Sequence, residues 1–251
     1  MQYFGDVNLS TLTRPIFGLY ITVPDPSIVE MACYAGFRFV RIDMEHGMFS
    51  YERAGELIRT ARLLGMETQL RISDMTDITK FLDMGATGIM VPDVDSREMV
   101  QDLVRYTKYA PTGHRGMFGV SPFVKFGLDP FDEYMKDANE KVLSGIQIES
   151  VDALSRIDDI IDVDGLDLVS SGKADLSQTM GLTGQMSDPR VIEAENQIIR
   201  KAKEHGKEPT AMVTNAKRAH ELWDMGVRIM VTGPDISLIM SCLKNSADSL
   251  F

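Results

Sequence analysis

The chain is poor in several things at once. Of its 251 residues two are cysteine, four are histidine and one is tryptophan, and basic side chains are outnumbered 26 to 37 by acidic ones. Two cysteines, Cys33 and Cys242, cannot make a disulfide scaffold and lack metal-ligand spacing. Both fall in helical patterns and read as buried free thiols of a cytoplasmic protein. The formal charge of −11 excludes nucleic acid or an anionic membrane as the main partner, because each demands a basic surface. No basic segment followed by an apolar run opens the sequence, and no run is long enough to span a bilayer. Also missing is an early Gly-x-Gly-x-x-Gly turn, which removes the main support for a doubly wound open sheet. Methionine alone is abundant, at 17, and reads as adaptable packing.

What is present is a rhythm. Short apolar runs alternate with amphipathic stretches from Phe17 onward, each run closed by glycine, proline or a polar cluster. The expected strands are 17–23, 37–43, 67–72, 87–94, 145–149, 167–171, 211–213 and 228–231. Between them Pro26, Ser50, Ser96, Asp188, Asn215 and Pro234 open helices, and Gly36 and Gly65 close two of them. Residues 1–15 read as a polar lead-in. A stretch from Pro111 to about 140 breaks the rhythm and reads as an insertion, with an amphipathic piece at 131–138. Residues 83–93 and 224–235 resemble each other as helix end, glycine stop, buried strand and polar turn. Eight strand-then-helix units of near-continuous apolar strands predict one α/β domain over residues 1–251, a (β/α)8 barrel. Such barrels run to about 250 residues and keep their active sites at the C-terminal ends of the strands.

Those strand ends carry charge. Asp43 and His46, Arg71, Glu149 and Asp175 come from four different strands to one rim. A charged group at the end of an apolar strand is unfavourable unless something holds or uses it. Glu149 and Asp175 offer hard oxygens suited to Mg2+, Mn2+ or a similar ion that keeps several waters. Read blandly, Asp175 caps a helix and Glu149 makes a salt bridge. Asp43 stands three residues before His46, close enough to orient its ring. Arg71 is either an ion-pair partner or the cation that stabilises a developing enolate oxygen. The helix start at 174–175 supplies N–H groups for a carboxylate. His114-Arg115 reads as a lid contact or a solvated loop, Trp223 as packing, and His205 and His220 receive no role.

The segments Ile42-Asp43-Met44-Glu45-His46, Leu70-Arg71-Ile72, Tyr109-Ala110-Pro111-Thr112-Gly113-His114-Arg115-Gly116, Gln147-Ile148-Glu149 and Gly172-Lys173-Ala174-Asp175-Leu176-Ser177 form a set. In that order they resemble the HpcH/HpaI family of metal-dependent class II pyruvate aldolases. The resemblance runs from about Phe17 to Met240. It implies a (β/α)8 barrel whose last helix is exchanged between subunits of a hexamer built from dimers, using the apolar stripe Ile236, Ile239, Met240 and Leu243. It also implies Glu149 and Asp175 as ligands of a divalent ion (Mg2+, Mn2+ or Co2+) and Arg71 on the carbonyl oxygen of pyruvate. His46, oriented by Asp43, becomes the acid/base group. The amides of Ala174 and Asp175 take the pyruvate carboxylate, with Gln147, Gly172 and Lys173 in the same pocket. The expected reaction is reversible cleavage of a 4-hydroxy-2-oxo acid to pyruvate and a small aldehyde. Oxaloacetate decarboxylation, CoA-ester cleavage or a silent binding role stand as alternatives. Two departures from the family pattern stand out: Lys173 replaces the usual proline, and residues 118–126 replace a basic, alanine-rich run. Lys173 also raises the alternative of a Schiff-base mechanism.

Overall fold

Eight short apolar runs become eight parallel strands. In the computed structural model, which describes residues 9–250, they are β1 (Ile16–Ile21), β2 (Phe39–Asp43), β3 (Glu67–Arg71), β4 (Gly88–Val91), β5 (Leu143–Ile148), β6 (Leu168–Ser171), β7 (Glu208–Met212) and β8 (Ile229–Thr232). Each pairs in parallel with the next, and β8 pairs back onto β1 to close the barrel. The expected (β/α)8 architecture is the one found.

Around the barrel run α1 (Pro26–Tyr34), α2 (Tyr51–Leu63), α3 (Ile78–Met84), α4 (Arg97–Thr107), α5 (Phe131–Lys141), α6 (Val151–Ser155), α7 (Ile157–Ile161), α8 (Lys173–Thr179), α9 (Pro189–Glu204), α10 (Ala216–Asp224) and α11 (Asp235–Asp248). Local chemistry sets their ends. Asp25 accepts the Ser27 amide at 2.8 Å with Pro26 in the first turn, and Ser50 Oγ accepts the Arg53 amide at 3.3 Å. Gly36 and Gly65 leave α1 and α2 at φ of +93° and +73°, a region that penalises any Cβ.

Several boundaries differ from expectation. The helix read through Leu154–Ile161 breaks at Arg156 into α6 and α7. Strand β7 starts at Glu208, ahead of Ala211, and β4 stops at Val91. Ser96 precedes α4 without a side-chain cap bond. The amphipathic piece of the insertion is α5, a helix that runs on to Lys141. Of the lead-in, residues 1–8 lie outside the described residues, and Leu9–Thr11 form a short 3-10 turn.

The strands separate two cores. Outward-facing Val40, Ile42, Leu70, Ile89, Ile146 and Val169 pack with helix residues such as Leu57, Ile58, Leu103 and Ile198. Inward-facing Ile16, Tyr20, Phe39, Met90, Leu168, Ile229 and Val231 form the second cluster. The staggered register makes alternate strands contribute to each interior layer. Above a bottom layer of Ile16, Glu67, Leu143 and Glu208 these are Phe39, Gly88, Leu168 and Ile229; then Gly18, Gln69, Gly145 and Thr210. Above them come Arg41, Met90, Ser170 and Val231, and then Tyr20, Arg71, Gln147 and Met212. The middle layers are mostly apolar or glycine, and charged side chains sit at both ends, Glu67 and Glu208 at the bottom and Arg41 and Arg71 toward the mouth.

The last helix stands apart. Asp235 anchors its start, accepting both amides of Thr22 and Val23 and the Thr22 hydroxyl. Beyond it Ile236, Leu238, Ile239, Met240 and Leu243 are all exposed. Beside β1, a groove of ≈ 490 Å³ lined by Phe17, Ala35, Phe37, Val213, Ala216 and Ala219 runs between α1 and α10. No helix among the described residues is long and apolar enough to cross a membrane.

Candidate active site

The barrel brings Asp43, Arg71, Glu149 and Gly172–Asp175 to the C-terminal rim of β2, β3, β5 and β6. Arg71 is the most firmly held of them. Its Nε and Nη2 donate to the two oxygens of Asp43, each at 2.9 Å, and its Nη1 lies 3.0 Å from Glu45 Oε2. The guanidinium also stacks over Tyr20, 5.3 Å from the ring centre. A planar fork gripped bidentately by one carboxylate and singly by another has little freedom to turn.

Asp43 therefore serves Arg71. Its Oδ1 also accepts the backbone amides of Glu45 and His46, at 3.2 and 3.4 Å. The expected orientation of the His46 ring by Asp43 is thus not what the structure shows. The ring is 68% exposed, and the carboxylate facing it is that of Glu45, 3.9 Å from Nε2.

Glu149 is buried. One oxygen accepts the Asp93 amide at 3.0 Å, and the other, Oε1, has no hydrogen-bond partner among the described residues. Asp93 presents its amide from a left-handed conformation, φ +49°. Burial pushes the Glu149 carboxyl up to about 7, the nearby Asp175 charge adds to the rise, and the Asp93 amide and Arg71 oppose it. Gly172 is what lets Glu149 lie where it does: a Cβ there would sit 2.1 Å from Oε1. Gly172, not Asp175, is the N-cap of α8, so Asp175 sits in the first turn with its side chain exposed. The amides of Lys173, Ala174 and Asp175 precede the first bond of that helix, from Leu176 N–H to the Gly172 carbonyl. Gln147 faces the interior, and its Oε1 has no hydrogen-bond partner among the described residues.

Lys173 is drawn to a different place from the one expected. Its ammonium lies 3.2 Å from Glu195 Oε2 on α9. Glu195 is wholly buried and also takes Arg218 Nη2 at 2.7 Å and the Ser171 hydroxyl at 3.2 Å. This buried acid with two cations ties the end of β6 and the first residue of α8 to α9 and α10. The Lys173 side chain is thus engaged by Glu195, which does not favour the Schiff-base alternative.

Other sequence candidates sort themselves plainly. Arg115 is buried against Asp83 at 2.7 Å and over Tyr109 at 4.7 Å, so it anchors the insertion, whereas His114 is exposed. Trp223 packs under the Arg228 guanidinium, and His205 pairs with Asp158. Cys33 is half-buried and Cys242 exposed, so the expectation of two buried thiols fails.

Residues 16–242 match the family described as HpcH/HpaI aldolase/citrate lyase. The chain belongs to that family. It is accordingly a carbon–carbon lyase of the aldolase type. A 4-hydroxy-2-oxo-heptane-1,7-dioate aldolase of Escherichia coli is 29% identical over 90% of this chain and 87% of its own. A hydroxypyruvate/pyruvate aldolase of Pseudomonas aeruginosa is 31% identical over 92% and 86%. Among solved structures, the citrate synthase SbnG superposes with a TM-score of 0.90 at 31% identity, covering 99% of this chain and 97% of its own. An HpcH/HpaI aldolase from Desulfitobacterium hafniense gives 0.88 at 27%, covering 94% and 93%.

In this aldolase, sequence reasoning passed over three participants. Glu45 was visible in the Asp-Met-Glu-His cluster but had no role assigned. Tyr20 and the Asp93 amide gave no signal, since one sits inside a strand and the other is backbone. Arg71, fixed by two carboxylates, is a cation of the kind that can stabilise a developing negative oxygen.

Proposed function

We propose that this aldolase makes and breaks the bond between the methyl carbon of pyruvate and the carbonyl carbon of a small aldehyde. Its substrate in the cleavage direction is then a 4-hydroxy-2-oxo acid. The observation that carries the reading is Glu149: a buried carboxylate with one orphaned oxygen, pressed against a glycine, beside Asp175 and facing the fixed Arg71.

That donor set fits a divalent cation. Among the described residues no three His, Cys, Asp or Glu side chains gather as a metal cage. Two hard carboxylates suit Mg2+, Mn2+ or Co2+, which fill the remaining positions with water and substrate oxygens. Held by Glu149 and Asp175, such an ion would supply Lewis-acid polarisation of the 2-oxo group.

This chain's own residues do the rest. Arg71, immobilised by Asp43 and Glu45, donates to the carbonyl oxygen as negative charge grows there. The first amides of α8, from Ala174 and Asp175, receive the carboxylate, with Gln147 below. His46, with Glu45 beside it, moves the proton between substrate hydroxyl and solvent. Lys173 holds α8 in place through Glu195 and takes no covalent part.

Pyruvate release from 4-hydroxy-2-oxo acids, followed by coupled lactate formation, tests the reading. Activity should vanish in chelator and return with Mn2+, Co2+ or Mg2+; full turnover in chelator refutes it. Likeness to a citrate synthase favours a second reading, in which the acceptor is the ketone of a 2-oxo acid. Oxaloacetate offered as acceptor in the same assay separates the two.

The assembly we propose is a homohexamer built from dimers that exchange α11. Its support is the exposed apolar stripe of α11, whose start alone is anchored through Asp235, together with a groove beside β1 lined in large part by apolar residues. Removing α11 should lower the mass seen in analytical ultracentrifugation; an unchanged mass overturns the exchange. We place the enzyme in the cytoplasm, in keeping with its unpaired cysteines.

A further inference from the structure

Inside the barrel lies a cation that the chemistry above does not use. Arg41 points inward from β2, 3% exposed, in the layer directly beneath Tyr20, Arg71 and Gln147. Its Nε and Nη2 both donate to Gln69 Oε1, at 3.2 and 2.8 Å. Among the described residues no carboxylate lies within ion-pair distance of it. The titratable groups it senses are Tyr20, Arg71 and Asp43, and Asp43 is already gripped by Arg71. In the neighbouring layers Tyr20 Oη, Gln69 Nε2, Gln147 Oε1 and Thr210 Oγ1 are buried without a hydrogen-bond partner among the described residues.

An arginine taken out of water without a counter-charge is unfavourable, and it becomes less so when an anion arrives near it. Burial depresses Arg41 only to about 10, so it stays charged at neutral pH. We propose that Arg41 is an electrostatic determinant of substrate binding: its uncompensated charge, held beneath the floor of the site by Gln69, selects ligands by their negative charge. The proposal rests on the 2-oxo acid reading of the site. Acting through the Tyr20–Arg71–Gln147 layer and not by contact, the effect scales with ligand charge. Pyruvate carries one negative charge. Oxalate, with the planar shape of the enolate form of pyruvate, carries two.

The test titrates pyruvate and oxalate calorimetrically into the Mn2+-loaded protein and its variants. Arg41→Leu combined with Gln69→Val replaces the polar pair by apolar residues and leaves no unpaired amide behind. Arg41→Gln removes only the charge, and serves if the double variant does not fold. Arg41→Lys keeps the charge. One charge acting across a layer or two at an effective dielectric near 20 is worth about tenfold in affinity for each ligand charge. Both neutral variants should therefore lose about tenfold for pyruvate and about a hundredfold for oxalate, while Arg41→Lys keeps most of both affinities. Equal losses for the two ligands, or none, in variants that unfold like the parent overturn the proposal. A parent that binds neither ligand sinks the 2-oxo acid reading itself, and the proposal with it.

Discussion

Alanine at Gly172 should separate the fold of this enzyme from its chemistry. The added methyl would lie 2.1 Å from Glu149 Oε1 and 2.5 Å from its Cδ and Cγ. Ordinary contact between carbons is about 3.5–4.0 Å, so more than an ångström must be found somewhere. The backbone offers no objection, because φ at Gly172 is −97° and open to any residue. All of the strain is steric, and it falls on the Glu149 carboxylate or the first turn of α8. Overpacking of this kind costs about 1–3 kcal/mol, and the reduced freedom of the unfolded chain offsets about 0.4–1 kcal/mol of it. Moving a catalytic group by an ångström costs on the order of a hundredfold in rate. Gly172→Ala should therefore unfold cooperatively within about 2 kcal/mol of the parent. It should nonetheless lose about a hundredfold in kcat/KM and at least about tenfold in Mn2+ affinity. Urea unfolding, calorimetric metal titration and coupled pyruvate release measure the three quantities. In a Glu149→Ala background the obstacle is gone, and the same substitution should cost nothing. Full metal affinity and turnover in the single variant, or equal destabilisation in both backgrounds, would show that the close approach does not build the site.

Other expectations follow from neighbouring residues. Arg71→Lys exchanges a bidentate fork for a point charge and should lower kcat/KM by about a hundredfold without unfolding the protein, as measured by steady-state cleavage. Lys173→Met leaves Glu195 with Arg218 as its one remaining cation. It should lower the unfolding free energy by about 1–3 kcal/mol while turnover survives, and borohydride with pyruvate should add no mass to the parent. In metal-free protein, folding raises Glu149 from 4.5 to about 7. The native state therefore holds a proton that the unfolded chain releases between those values, so this contribution to stability is complete below pH 4.5 and lost as pH rises through 7. The difference in unfolding free energy between parent and Glu149→Gln, measured in chelator, should accordingly fall by up to about 3 kcal/mol across that window; a flat difference refutes it.

The barrel was legible because its outer faces repeat a simple demand. Residues such as Val40, Ile42, Ile146 and Val169 must meet helix stripes such as Leu57, Ile58 and Ile198, and both periods show in the sequence. Arg71, Glu149 and Asp175 were legible as charges where apolar runs end. What failed to show was the choice of partner. Three residues separate Asp43 from His46, yet Arg71, 28 positions away, takes both of its oxygens because a strand neighbour brings more donors than a turn neighbour. Lys173 is held by Glu195, 22 positions on and inside a helix stripe that otherwise reads as apolar. The Asp93 amide is invisible in any sequence, since its role comes from a left-handed φ and not from its side chain.

The alternation of the strands has a consequence for how this enzyme can evolve. On β2, Phe39, Arg41 and Asp43 belong to the interior while Val40 and Ile42 belong to the helix shell. Instructions for folding and for substrate choice are thus interleaved one residue apart on the same strand. Point substitutions can rewrite one set and spare the other. A single inserted or deleted residue within a strand exchanges the two sets at once, turning Arg41 and Asp43 outward into the apolar shell. Length changes are tolerated where no such parity is at stake, and in this chain the irregular run between α4 and α5 is such a place.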